Sequence, residues 1–151
     1  MTTTRSLVFS MFATGCSVSS ATSLDDIAAT PLDGAVGGQT WTFSTGHTSG
    51  FLSEGKPEFF ATLYPTAFTT CGFSEPSGSH LIVAIPKTPG DYEMGLSLNM
   101  TFVDGSRNLV ATNGRIVVDE VTETKVTGGL VAEYDSNNEV NGRFEVALCD
   151  D

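Results

Sequence analysis

Two stretches of strict alternation limit what this chain can fold into more than any other feature. Met94, Leu96, Leu98, Met100 and Phe102 alternate with Glu93, Gly95, Ser97, Asn99 and Thr101. Near the C-terminus Val140, Gly142, Phe144, Val146 and Leu148 alternate with Glu139, Asn141, Arg143, Glu145 and Ala147. A period of two puts such residues on one face of a strand and scatters them around a helix. Between the two runs lie Arg115–Val121, with Ile116 and Val118 in phase, and Val126–Tyr134, with Leu130, Ala132 and Tyr134 in phase. Asp104-Gly105-Ser106, Glu123-Thr124 and Asp135-Ser136-Asn137-Asn138 supply turn chemistry between them. Residues 93–149 therefore read as an antiparallel meander of about four strands, with a fifth if Asn108–Thr112 pairs.

Upstream, Gln39–Ser44, Glu58–Tyr64 and Leu81–Ile85 read as further strands. Leu81–Ile85 is apolar on both faces, which suits a central strand; Pro86 ends it and Pro89-Gly90 turns the chain. The expected fold class is all-β, an antiparallel β-sandwich or up-and-down barrel of about seven to eight strands with a C-terminal meander. Sixteen glycines and many Thr and Ser agree with it.

The first residues carry a different pattern. Arg5 precedes the apolar run Leu7–Ala13, which is far shorter than the about 20 residues that cross a bilayer and fits a secretory signal. Ala13-Thr14-Gly15-Cys16 then resembles the lipobox of bacterial lipoproteins, with Ala13 where such segments usually carry Leu. That resemblance implies a signal peptide over 1–15, a lipid on Cys16, a flexible tether over 16–38 and a β-domain over 39–151. Ser17 after the cysteine implies the outer membrane. Cleavage after Ala21, giving a soluble secreted or periplasmic protein, is the other processing route, and a buried strand or short helix over 7–13 is the non-processed alternative.

The cysteines, Cys16, Cys71 and Cys149, are three, so an oxidising compartment leaves one over. Lipidation of Cys16 leaves Cys71 and Cys149 to pair in a disulfide, which in the loop-closure model stabilises by about 4–5 kcal/mol. Two free buried thiols in a cytoplasmic protein are the rival reading. The formal charge of −11 repels nucleic-acid phosphates, so no nucleic-acid partner is expected.

The sequence offers no catalytic, cofactor-binding or metal signature: no GxSxG elbow, HExxH, CxxC or glycine-rich nucleotide loop occurs. His47, in Ser44–Gly50, reads as a loop residue and His80 as a strand entry. Asp135, Asn137 and Glu139 stand two apart like calcium ligands, but the early glycine and distal glutamate of a calcium loop are missing, and a polar hairpin turn accounts for them. Asp91 with Asp104 is a conceivable acidic cluster, and Asn99-Met100-Thr101 is a sequon. Trp41, Phe60 and Tyr64 are candidates for a ligand face or for the core.

Gly37–Phe43, Pro89–Tyr92, Asn113–Ile116 and Val140–Val146 with Cys149 resemble uncharacterised envelope lipoproteins of Gram-negative bacteria, the myxobacterial kind especially, which carry a small β-domain. The resemblance covers most of residues 37–149 and brings no catalytic residues. The expected role is a non-enzymatic binding or structural interaction module of the cell envelope, held to the membrane by its lipid and meeting an envelope protein or glycan. One alternative is a lipocalin-like barrel with a pocket lined by Trp41, Phe60, Met94 and Phe102. The other is a small hydrolase using His47 or His80 with a serine and a carboxylate.

Overall fold

The computed structural model describes Leu24 and residues 26–72 and 74–149. Cys16 and the expected signal peptide lie outside them. The strands are β1 (Asp33–Val36), β2 (Gln39–Thr42), β3 (Thr45–Ser49), β4 (Glu58–Tyr64), β5 (His80–Pro86) and β6 (Gly90–Glu93). They continue as β7 (Met100–Asp104), β8 (Arg107–Ala111), β9 (Asn113–Val121), β10 (Lys125–Asp135) and β11 (Asn138–Ala147). One helical turn, α1 (Gly50–Ser53), interrupts them; Ser49 caps it by accepting the Leu52 amide.

The all-β expectation holds. The strands form one curled, mixed sheet, a half-barrel, along the path β6-β9-β10-β11-β3-β4-β5-β7-β8. The ladders are antiparallel, and the parallel contacts are two single bridges, Ala147 of β11 to His47 of β3 and Pro31 to Arg143 of β11. The β1–β2 hairpin lies along the other half of the same edge of β11, with Gly34 opposite Val140. No ladder joins the end strands β6 and β8 among the described residues. The limbs instead curl face to face, β8 packing on β10 and β5 on β9.

The meander is real from β9 to β11, where Leu130 sits between Ile116 and Gly142. Upstream it divides. The alternating run 93–102 is not one strand: β6 ends at Glu93, β7 starts at Met100, and the two join opposite limbs, β6 on β9 and β7 on β5. The reason is a turn at 95–98, in which Gly95 N–H donates to Leu98 O and the Asn99 side chain to Leu96 O. It throws Leu96 into solvent at 92 % exposure, while Met94 and Leu98 still pack on the core. Tyr134 also departs from phase, because a register shift between Glu133 and Asp135 turns it outward.

The second correction concerns the tether. Residues 16–38 were expected to hang free, yet the segment from Asp26 onward belongs to the domain. Asn141 ties it down, accepting from Ala28 N–H and donating to Asp26 O. Thr30 and Leu32 exchange backbone bonds with Arg143, and Leu32 and Val36 are fully buried. This segment covers the outer face of β10, so β10 is buried on both sides from Gly128 to Ala132. A Cβ on Gly129 would lie 2.6 Å from Ile27, so glycine is what lets the covering segment lie flat. On the inner face, Gly128 makes room for Phe144, whose ring stands 3.0 Å from where a Cβ would be.

The interior is a continuous cluster that includes Trp41, Leu63, Ile85, Met100, Phe102, Ile116, Leu130 and Val146. Phe102 is wholly buried, and removing its ring leaves a hole the β7–β5 ladder cannot close. Phe102→Ala is expected to lower the unfolding free energy by about 3–5 kcal/mol. Urea unfolding followed by fluorescence of Trp41, the single tryptophan, measures it; a loss below about 1 kcal/mol would contradict close packing here.

Candidate functional site

The densest polar chemistry gathers under the loop 65–79, where it crosses β3 and β4. His47, expected in a loop, is the middle residue of β3, facing Thr62 of β4 on one side and Ala147 of β11 on the other. Gly46 allows that fit, since a Cβ there would meet Val146 at 2.8 Å. The His47 side chain is 9 % exposed. The Phe68 ring stands edge-on to it at 5.3 Å, and edge-on to Tyr64 at the same distance. His80, at the start of β5, stacks at a tilt on Tyr64 at 5.0 Å.

Both ring nitrogens of His47 are engaged. Nδ1 accepts the Cys71 amide at 3.1 Å, and Nε2 lies 2.7 Å from Glu75 Oε1. A nitrogen that accepts an N–H carries no proton, so the neutral ring has its proton on Nε2 and donates it to the carboxylate. The other oxygen of Glu75 accepts the Tyr64 hydroxyl at 2.7 Å. The hydrogen bond from Tyr64 is the largest influence holding the Glu75 carboxyl below its usual range; desolvation opposes it and His47 assists. Tyr64 moves the other way, pushed well up by burial and then by its bond to the carboxylate. The pair therefore consists of an ionised acid and a protonated phenol.

Cys71 and Cys149 complete the cluster at disulfide distance, with Sγ atoms 2.02 Å and Cα atoms 5.3 Å apart. Cys71 has φ 59°, the left-handed region uncommon for a residue with a side chain. That turn aims its amide at His47. Cys149, just past β11, is fixed through its amide to Thr48 Oγ1 at 3.1 Å. One ring nitrogen of His47 and the two sulfurs all lie within 4.8 Å of one another.

The other sequence candidates are dispersed. Trp41 is 2 % exposed and in the core, its Nε1 without a hydrogen-bond partner; Phe60 is half-buried on β4, and Tyr64 is buried beneath the loop. They form no common ligand face. The pocket expected between Trp41, Phe60, Met94 and Phe102 is not assembled: Trp41 and Phe102 are packed in the core, and Met94 borders an open surface cleft with Asp91 and Arg115. Of the hydrolase requirements, His47 has its carboxylate, but Cys71 N–H takes the nitrogen a serine would need. His80 Nδ1 donates to Gly78 O at 2.9 Å. Asp135 accepts from Asn137 N–H and from the Asn138 side chain, which makes it a turn former. Asp91 and Asp104 do not cluster; each pairs with an arginine, Arg115 and Arg107.

Glu75 was not foreseen, because a single glutamate in an irregular loop has no pattern to betray it. A second surface feature also escaped: α1 exposes Phe51 and Leu52 beside a cleft of about 570 Å³ bordered by Phe59, Lys87, Leu148 and Cys149. Lys87 spans it, donating to Ser53 O at 2.7 Å with its ammonium 5.2 Å from the Phe59 ring centroid. No known protein family, curated protein or solved structure matches the chain.

Because the folded state lowers the pKa of Glu75, its bonds contribute stability that is present above its ordinary pKa and lost as pH falls through the lowered one. Thermal melts from about pH 6 to about pH 2 are expected to show a shallower acid-side decline for Glu75→Gln than for the parent chain. Parallel declines would mean that the carboxylate does not hold the loop.

Proposed function

We propose that this chain is an exported, lipid-anchored β-domain that works as a non-enzymatic binding or structural interaction module of the cell envelope. The observation that carries the reading is the Cys71–Cys149 pair, separated by 78 positions in sequence and poised to form a disulfide. Such bonds persist in oxidising compartments, and closing so long a loop stabilises most where the thiols cannot be reduced. Pairing these two leaves Cys16 as the odd cysteine, directly after the apolar run 7–13, where a lipid attachment would use it.

The exterior supports binding at the surface. Phe51, 76 % exposed, lines the Phe59–Leu148 cleft, which Cys149 also borders, and its neighbour Leu52 is 52 % exposed. An apolar projection over a cleft with a cation on its wall suits an amphipathic surface of an envelope protein or glycan. The filled interior leaves the lipocalin-like alternative without support.

Intact-mass analysis of the full chain expressed in a Gram-negative host tests the reading. The expected product sits in the membrane fraction, begins at Cys16 with a diacylglyceryl adduct and lacks two hydrogens for one disulfide. A soluble product beginning at Thr22 would keep export and remove the anchor. An intact Met1 with three free thiols would overturn both.

A further inference from the structure

The cysteine end of the cluster holds a ligand set that the proposed function does not use. His47 turns Nδ1 toward the cysteines, since that nitrogen receives the Cys71 amide, and turns Nε2 toward Glu75. Glu75 is held in turn by Tyr64. Metal-ligating imidazoles are mounted in this way, one nitrogen toward the metal and the other N–H on a carboxylate that is itself hydrogen-bonded. A loop-pinning role needs only one of these contacts. The tautomer, the carboxylate behind the ring and the two sulfurs in front of it are the parts of a metal centre.

We infer that His47, Cys71 and Cys149 form a redox-gated zinc site, shut while the two sulfurs are bonded and opened by a dithiol reductant. In the opening step the S–S bond breaks, each protein sulfur gains a hydrogen, and the dithiol leaves as its own disulfide. Zinc then displaces the two thiol protons, and Nδ1 exchanges the Cys71 amide for the metal. Two thiolates and an imidazole are soft and borderline donors that select Zn²⁺ over Ca²⁺ or Mg²⁺.

The spacing suits the ion. The three ligand atoms already lie within 4.8 Å of one another. Around a tetrahedral zinc two thiolates stand about 3.8 Å apart, so the sulfurs need only part from their present 2.02 Å. Cys71 can give way, because it and the described residues around it in the loop 65–79 belong to no strand, whereas His47 is fixed in β3 and the Cys149 amide on Thr48. Three protein ligands leave a fourth position, and the exposure of Cys71 opens it to water. This inference does not rest on export or anchoring; it needs only the reduced pair.

The full chain, reduced with a phosphine, freed of it under argon and titrated with Co²⁺, provides the test. About one equivalent is expected to bind, with thiolate-to-cobalt absorption in the near ultraviolet and tetrahedral bands in the visible, both bleached by about one equivalent of Zn²⁺. The oxidised chain shows neither. His47→Gln is expected to cost at least about tenfold in affinity and to lose the tetrahedral intensity, and Glu75→Gln to cost about tenfold with the spectrum kept. Absent cobalt bands, or a His47→Gln chain with unchanged affinity and spectrum, would overturn the site. If reduction unfolds the chain, zinc must restore its far-ultraviolet β signal; failure to do so also overturns it.

Discussion

Everything in this structure leans on β10 being buried on both faces. An antiparallel sheet can leave one face to water, and most of the strands here do so, with polar residues outward. β10 has the longest doubly buried run, five residues from Gly128 to Ala132 against four in β5, its inner face packing on the opposite limb and its outer face lying beneath the segment that begins at Asp26. Burying a strand twice requires small residues where two layers approach, and Gly128 and Gly129 supply one for each side. The sheet can then curl around its own interior without closing, because the covering segment does for β10 what a second sheet does in a sandwich.

Much of this was legible where periodicity and local chemistry agree. Glu58–Tyr64 became β4 at the same bounds, Leu81–Ile85 became most of β5, and Val140 to Val146 alternate inward along β11 as their spacing demands. The failures share a cause. The run 93–102 has perfect alternation, yet Gly95 and Asn99 close a turn whose hydrogen bonds outweigh the burial of Leu96. Residues 26–38 are small and polar, which reads as a tether; their order comes from partners more than 100 residues away, such as Asn141, and no local signal reports that. The hairpin turn at Asp135 was legible because its bonds are made within three residues.

The site divides in the same manner. Cysteine parity selected Cys71 and Cys149, since pairing is a question of counting. Ser, Thr and Gly around His47 read as a loop, and it is the ladder to β4, with Gly46 fitting against Val146, that makes the stretch a strand. The link from Tyr64 through Glu75 to His47 joins residues from two strands and a loop and has no sequence signature. Aromatic residues misled in the opposite direction. Trp41, Phe60 and Tyr64 suggested a face, but two of them are worth more in the interior or beneath the loop than in water.

The pairing of β1 with β11 sets a timetable for the molecule. β1 finds its partner more than 100 residues further along the chain, and the parallel bridge from β3, whose main ladder is with β4, likewise needs Ala147. Until the final hairpin has emerged, Leu32, Val36 and Trp41 have nowhere to be buried. The local hairpins β1–β2, β3–β4 and β7–β8 need no such wait, so folding divides into early local pairing and a later closure in which β11 joins the β1–β2 hairpin to the rest of the sheet.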